Sequence, residues 1–234
     1  MKLLLPLWRM FCYFAGALLL AIALYQFWFF AQILYWSGHN PQTTRFMDAR
    51  LEALRQKNPA ARLQHQWADY DRISVNLKRA IIVAEDAKFV DHDGFDWEGI
   101  QRALEKNQRR GKIVAGGSTI TQQLAKNLFL SGERSALRKG QEAIITVMLE
   151  AVLDKRRIFE MYLNVAEWGE GLFGAEAAAR HYFGVGVASL DPEQAARLAA
   201  MLPRPRYYDK NRDSLYLASY SETILSHMSY AQVP

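Results

Sequence analysis

An uncharged apolar segment near the N-terminus constrains this chain more than any other feature. No Asp, Glu, Lys or Arg occurs between Arg9 and Arg45, and residues 10–36 are almost entirely apolar. A helix of this length spans a hydrocarbon layer of about 30 Å with some tilt. Trp8 and Trp36 bracket the segment, as aromatic side chains do at membrane interfaces. We therefore predict a single membrane-spanning helix over residues 10–36.

The flanking charges predict the orientation of this helix. Lys2 and Arg9 precede it, so the positive-inside rule places residues 1–9 in the cytoplasm. The rest of the chain then lies on the far side of the membrane, which in a bacterium is the periplasm or outer face. A cleaved signal peptide is the alternative, because residues 21–23 form a small-x-small cleavage pattern. Strong hydrophobics continue beyond that point, which favours an uncleaved anchor.

The remaining sequence predicts a mainly helical domain. Apolar residues recur at helical spacing in several segments, whereas the alternation typical of strands is scarce. Asp96 and Asp191 stand where helices are expected to begin, and one helix is expected to run from Asp154 to Glu167. We divide the chain into a cytoplasmic N-terminus (1–9), the anchor (10–36), a juxtamembrane segment (37–72) and a globular domain (73–234).

Composition excludes several classes of protein. Half of the residues are hydrophobic, so disorder is not the dominant state. The single cysteine, Cys12, excludes an internal disulfide framework and a cysteine-based zinc site. The five histidines are scattered, and the sequence contains no metalloprotease, Walker or serine-acylation motif. Metalloproteases and serine-acyl enzymes are therefore disfavoured.

The excess positive charge is concentrated in residues 101–142. This stretch has nine basic and three acidic residues, whereas the whole chain carries a formal charge of +5. Lys126, Arg134, Arg138 and Lys139 surround a Gly-Ser-Thr turn that opens a predicted helix. Backbone N–H groups at such a turn, together with cations, suit phosphate oxygens, although a solvated basic face remains open. Nucleic acid is not expected as a partner, because no aromatic-basic interleaving or recognition-helix pattern is present.

Glu85 is the first candidate for a catalytic residue. It ends an apolar helical segment and opens a polar loop. A carboxylate beside an apolar wall has a raised pKa, which suits a general base. A solvated loop acid is the alternative that position alone leaves open.

Five motifs resemble those of the peptidoglycan glycosyltransferases. Residues 85–94 are similar to the first motif of that family, Glu-Asp-x-x-Phe-x-x-His-x-Gly. Residues 116–127 resemble the second motif, and residues 138–142 resemble the third, Arg-Lys-x-x-Glu. The fourth and fifth motifs are matched in residues 155–164 and 174–184. Five motifs in the same order make the resemblance highly specific.

This family includes the glycosyltransferase half of class A penicillin-binding proteins. The similarity covers about residues 70–208, and no acyl-serine motif is present, so we expect a monofunctional member without a transpeptidase domain. The resemblance implies a lysozyme-like helical lobe with a small membrane-associated jaw. It also implies the reaction: the growing lipid-linked glycan is transferred to the 4-hydroxyl of lipid II, with inversion and release of undecaprenyl pyrophosphate.

By motif position, the resemblance also implies the site residues. Glu85 is expected to be the base for the acceptor hydroxyl, and Glu142 the second catalytic carboxylate. The substrate-binding residues are expected to be Ser118, Gln123, Lys126, Arg134, Arg138 and Lys139. A divalent metal, magnesium or manganese, is implied near the pyrophosphate, with no legible ligand set. Tyr162 is expected to support packing rather than catalysis.

Two other functions remain open on the sequence alone. A lytic enzyme could cleave glycan on a similar fold, but it would need no phosphate cluster. An inactive scaffold of a cell-wall synthesis complex would need neither Glu85 nor Glu142. The expected partners are lipid II, the growing glycan strand and membrane lipid. Other cell-wall synthases and division proteins are further candidates.

Overall fold

The computed structural model describes residues 4–111, 116–130, 132 and 135–234, with side chains from residue 8 onward. The chain divides into two units, Met1–Asn40 and Pro41–Pro234. The first unit contains helix α1, Leu4–Trp36. Among the described residues, Trp8–Gly38 is the one helical stretch long and apolar enough to cross a membrane. Membrane anchors and signal sequences share this property.

The second unit is built mainly from helices, as the sequence predicts. Their bounds are α2 Arg45–Arg55, α3 Val75–Glu85, α4 Trp97–Arg110, α5 Ile120–Phe129, α6 Ala136–Val152, α7 Lys155–Val165, α8 Ala175–Phe183, α9 Pro192–Met201, α10 Pro205–Lys210 and α11 Leu215–His227.

Side-chain caps determine where several of these helices begin. Asp96 caps α4 as predicted. Thr119 and Gln122 form a capping box at α5, and Asp191 and Gln194 form another at α9. Each cap bonds backbone N–H groups that the first helical turn leaves unpaired. The cap at α5 therefore fixes the residue at which this helix begins. Helix α5 carries several candidate site residues.

A small sheet is a feature that the sequence does not predict. Its strands are β1 Gln64–His65, β2 Glu167–Gly169 and β3 Leu172–Phe173. Strand β3 lies in the middle, parallel to β1 and antiparallel to β2. Strands this short show no alternation pattern. The helix expected to reach Glu167 was extended too far: α7 ends at Val165, and Glu167 begins β2.

The core of the second unit holds α3 in place. Helix α3 packs against α9, and α5 packs against α6 and α7. Leu77 and Ile81 of α3 are fully buried, as are Ala195 and Ala199 of α9. Small alanine side chains let two helices approach closely, and well-packed cores resist displacement. The C-terminal end of α3, Glu85, is therefore carried by a rigid element.

Gly94 is a position where a side chain is expected to destabilise the fold. Its φ of +86° is rarely adopted by L-residues, and an added Cβ would lie 2.7 Å from Cγ2 of Thr146. Gly94→Ala is expected to lower the free energy of unfolding by about 2–4 kcal/mol, measured by unfolding in detergent. Gly140→Ala is the control, because a Cβ at that position in α6 meets no atom within 4 Å. Equal stability of the two variants would contradict the expectation.

Candidate active site

Glu85 is the last residue of α3, and its side chain is part-buried. Its Oε2 accepts a hydrogen bond of 2.6 Å from Nε2 of Gln123 on α5. Burial raises the pKa of Glu85 above its ordinary value, while the Gln123 bond and the charge of Lys126 act in the opposite direction. A carboxyl with a raised pKa is a better base near neutral pH.

Tyr162 of α7 lies behind Gln123. Its hydroxyl donates a hydrogen bond of 3.2 Å to Oε1 of Gln123. Tyr162 is only 1% exposed, and burial raises its pKa well above its ordinary value. The hydroxyl therefore stays protonated, and its bond orients the Gln123 amide so that the NH2 group points to Glu85. The predicted packing role of Tyr162 is thus joined by a role in orienting Gln123.

Asp86 ties the first motif to the start of α5. Its carboxylate accepts hydrogen bonds of 3.0 Å from the backbone N–H of Ile120 and from Nε2 of His92. The Thr119 hydroxyl donates to the backbone carbonyl of Gly94 at 2.7 Å. These bonds hold the Gly-Gly-Ser-Thr turn against the loop that follows Glu85.

A small cavity opens beside Glu85. Its volume is 160 Å³, and its lining includes Glu85, Ser118 and the two glycines of the turn, Gly116 and Gly117. The Ser118 hydroxyl accepts a hydrogen bond of 3.4 Å from Nζ of Lys139. The cavity thus has a carboxylate on one side and a polar turn on the other.

Glu142 of α6 is buried and paired with two cations from its own helix. Nη1 of Arg138 donates to its Oε2 at 2.7 Å, and Nζ of Lys139 donates to its Oε1. Its side chain is 3% exposed. Both carboxylate oxygens of Glu142 are therefore engaged, which holds the two cations in fixed positions on α6.

Lys126 connects the surroundings of Glu85 to a second, larger cavity. Burial lowers the pKa of Lys126, whereas the charges of Glu142 and Glu85 raise it. No described carboxylate lies within ion-pair distance of its Nζ. The larger cavity measures 560 Å³, and we call it the basic cavity. Its charged lining residues are Arg50, Lys126, Arg138, Glu167, Arg204 and Arg206. With five cations against one carboxylate, the basic cavity is suited to an anion.

Most of the residues predicted for the site lie together in the second unit. Direct contacts join Glu85 to Gln123, Glu142 to Arg138, and Lys139 to both Glu142 and Ser118. The electrostatic influence of Lys126 reaches both carboxylates. Arg134 lies outside the described residues, so its predicted role stays a prediction.

Four charged residues of the basic cavity are not predicted from the sequence. They are Arg50, Glu167, Arg204 and Arg206. Arg50 precedes the motifs, while Arg204 and Arg206 follow them, and their charges do not differ in pattern from those of ordinary surface residues. The one sequence signal is the concentration of Arg and Pro in residues 203–206. Folding is what brings these distant segments to one place.

Large apolar side chains are exposed on α4 and α6. On α4, Trp97 is 71% exposed, and on α6, Leu137 and Val147 are 89% and 57% exposed. Large exposed apolar side chains, where they form a patch, are typical of surfaces that meet another apolar phase. Helix α6 also carries Glu142 and its two cations, so its exposed apolar residues lie close in sequence to the charged site.

The described residues do not form a cage for a metal ion. They contain no group of three His, Cys, Asp or Glu side chains suitably placed. Glu142 is occupied by Arg138 and Lys139, and Asp86 is occupied by His92 and a backbone N–H. Within the described part of the chain, the side chains therefore do not fit the ligand set of a resident metal.

Comparisons with known proteins identify the family of this chain. The sequence model of a family described as Transglycosylase matches residues 52–229. A protein of Methylobacillus flagellatus is 62% identical over 216 residues, which cover 92% of this chain and 94% of the relative. Proteins of Aromatoleum aromaticum and Nitrosospira multiformis are 60% and 56% identical, and each match covers 97% of the relative and 94% or 97% of this chain. All three relatives are named biosynthetic peptidoglycan transglycosylase.

Proposed function

This chain belongs to the transglycosylase family, and from that membership we propose that it polymerises the glycan strands of peptidoglycan. The donor is the growing glycan on its lipid pyrophosphate, and the acceptor is lipid II. The acceptor 4-hydroxyl attacks the anomeric carbon of the donor. The configuration inverts, and undecaprenyl pyrophosphate leaves. The observation that carries the proposal is a part-buried carboxylate, Glu85, within the electrostatic reach of Lys126, which lines a strongly cationic cavity.

Glu85 is the proposed general base. Its raised pKa has burial as its main cause, and Gln123 holds only one of its two oxygens. The small cavity beside it gives the acceptor hydroxyl a place within reach of the other oxygen. Glu85 takes the hydroxyl proton as the new glycosidic bond forms. Ser118 lines the same cavity and is a proposed substrate contact.

The cations are proposed to stabilise the leaving pyrophosphate. A pyrophosphate leaves as an anion, so it needs positive charge more than it needs a proton. Lys126 and Arg138 line the basic cavity, and Arg138 has a buried Nε without a hydrogen-bond partner among the described atoms. Glu142 fits a supporting role, because both of its oxygens hold cations. Its proposed part as second carboxylate is therefore to fix Arg138 and Lys139.

A divalent metal near the pyrophosphate remains a proposal from family resemblance. Magnesium is commonly held by substrate phosphates together with one or two carboxylates, rather than by a protein cage. The described side chains do not form such a cage, so a metal would be held mainly by the phosphates of the substrate. Bound in this way, a metal would supply further positive charge to the pyrophosphate.

Membrane attachment fits this substrate. We propose that α1 anchors the chain with residues 1–9 in the cytoplasm and the catalytic unit in the periplasm. The exposed apolar residues of α4 and α6 support the proposal of a membrane-associated jaw. An enzyme and a lipid substrate confined to one membrane meet more often than the same pair in solution. Other cell-wall synthases and division proteins remain candidate partners.

The test is polymerisation of labelled lipid II by the full-length chain in detergent, with magnesium present. The expected product is a long glycan that a muramidase digests. A lytic enzyme would instead shorten preformed glycan, and a scaffold would bind lipid II without forming polymer. Either of these results, obtained with folded protein across several detergents, would contradict the proposed function.

A further inference from the structure

The basic cavity contains a cation that comes from outside the matched motifs. Arg50 lies on α2, in the segment that follows the apolar helix in sequence. We propose that Arg50 is a substrate-binding residue for phosphate oxygens of the donor pyrophosphate, and that Glu167 positions it. The proposal rests on the proposed function, because that function supplies the pyrophosphate.

Local structure fixes the backbone that carries Arg50. Thr44 caps α2 by accepting a hydrogen bond of 3.1 Å from the backbone N–H of Met47. Met47 itself is 1% exposed, so the first turn of α2 is anchored in the core. The Arg50 guanidinium also lies 5.5 Å from the centre of the Phe46 ring. Arg50 lies three residues after Met47 in the same helix, so it is carried by an anchored helix rather than by a flexible linker.

Glu167 holds one edge of the Arg50 guanidinium. Nε of Arg50 donates to Oε1 at 2.8 Å, and Nη2 donates to Oε2 at 3.3 Å. A two-point bond of this kind fixes the plane of the guanidinium. Both hydrogens of Nη1 take no part in any hydrogen bond between described residues. That edge remains free to bind an anion in the basic cavity.

The charge of Glu167 does not cancel the charge of the cavity. Glu167 begins β2 and is buried, with Arg206 as a second cation 3.8 Å away. Burial raises its pKa, while Arg50 and Arg206 act in the opposite direction. One carboxylate is thus shared by two arginines, and Lys126 and Arg138 add further positive charge. Arg50, Lys126 and Arg138 are part-buried, and holding these cations together is costly unless an anion compensates their charge.

A second observation points independently to an anionic ligand. Nε of Arg138 is buried and has no hydrogen-bond partner among the described atoms. Buried donors of native proteins are normally bonded to protein, water or ligand. Arg138 and Arg50 line the same 560 Å³ cavity, which falls within the range of about 300–1,000 Å³ typical of ligand pockets. One phosphate-bearing group can therefore meet both side chains.

The test measures binding of farnesyl pyrophosphate to the full-length chain in phospholipid-free detergent, without turnover. Arg50→Gln is expected to raise the Kd about 10- to 100-fold, the range of a lost charged hydrogen bond. Arg45→Gln is the matched control, because Arg45 is an exposed arginine of the same helix that does not line the cavity. Its Kd is expected to change less than about twofold. Equal effects of the two variants would overturn the proposal.

The Glu167→Gln variant distinguishes an effect on the position of Arg50 from a simple change in the charge of the basic cavity. If Glu167 positions Arg50, the single variant weakens binding although it removes a negative charge from the cavity. In the Arg50→Gln background only the longer contact with Arg206, 3.8 Å, remains. The loss of a negative charge then dominates, and the same change is expected to tighten binding. The double variant also avoids leaving a buried arginine unpaired. Tighter binding in both backgrounds would contradict a positioning role.

Two further measurements distinguish pyrophosphate from lipid headgroups and binding from turnover. The Kd for farnesyl pyrophosphate is measured again in nanodiscs with and without phosphatidylglycerol. An effect of Arg50→Gln confined to the anionic discs would overturn the proposal.

Lipid II polymerisation by Arg50→Gln is expected to show a raised KM with a smaller change in kcat. If the parent chain binds farnesyl pyrophosphate through Arg50 yet forms no polymer, the proposed function fails while the anion contact of Arg50 stands.

Discussion

Replacing Glu85 with glutamine is expected to lower the rate of lipid II polymerisation by about 10²- to 10⁴-fold, the usual contribution of a general base. Glutamine keeps the size of the side chain and can still accept the hydrogen bond from Gln123. It cannot take a proton from the acceptor hydroxyl. Single-turnover polymerisation, measured with saturating lipid II, separates this loss from weaker binding. Glu193→Gln, at an exposed position on α9, is the control and should keep the parent rate.

Because the pKa of Glu85 is raised, we expect two measurements, a pH profile and a stability difference, to differ from those for a merely structural carboxylate. The base must be ionised, so kcat/KM is expected to fall as the pH is lowered. The fall should begin at a higher pH than for an ordinary glutamate.

Burial that raises a carboxyl pKa also disfavours the charged side chain in the folded state. At neutral pH Glu85→Gln is therefore expected to be more stable than the parent chain, with the difference disappearing below the ordinary glutamate pKa. A less stable variant at neutral pH would contradict this role of burial at Glu85.

Replacing Lys126 with methionine is expected to lower kcat by about 10²- to 10³-fold, as for other groups that stabilise charge in a transition state. Methionine approximates the length of the lysine stem without its charge. The negative charge on the pyrophosphate grows as the bond to the sugar breaks, so the loss should appear mainly in kcat. Lys126 is suited to stabilising the leaving pyrophosphate because it lines the basic cavity and no described carboxylate forms an ion pair with it.

Lys57→Met provides the comparison for Lys126, because Lys57 is exposed and absent from the lining of the basic cavity. Its kcat is expected to stay within about twofold of the parent value, as for an ordinary surface charge. Circular dichroism of both variants checks that the fold is kept. A Lys126→Met variant that is folded and retains its kcat would remove Lys126 from the proposed mechanism.

The sequence predicts most of the helices well for a physical reason. Caps such as Asp96 and Thr119 act within one turn, so a short stretch of sequence contains all the information. Glu85 and Gln123 belong to motifs whose order carries the family resemblance. The contacts of Arg50 with Glu167 are different, because these residues are 117 positions apart and depend on the whole fold. The strand that carries Glu167 is also too short to produce a pattern.

The role of Tyr162 shows a further limit of sequence reasoning. A packing role is expected for Tyr162 from its place in the fourth motif, and its side chain is buried. The motif does not indicate that the hydroxyl meets Gln123 on another helix, since that contact depends on how α5 and α7 pack. Periodicity reports which face of a helix is inside, but the partner of a buried polar atom is decided by tertiary packing.

The bond from Asp86 to the start of α5 has a consequence for a polymer-making site. Glu85 adjoins Asp86, while Gln123 and Lys126 both belong to α5, so the Asp86 carboxylate connects the proposed base to the helix that carries the proposed leaving-group cation. In the proposed mechanism, the separation of the base and the leaving pyrophosphate is then the same for every lipid II unit added. A strand that stays bound between additions would have to move by one repeat before its new end meets the same two groups, so this fixed separation would set the length of each step.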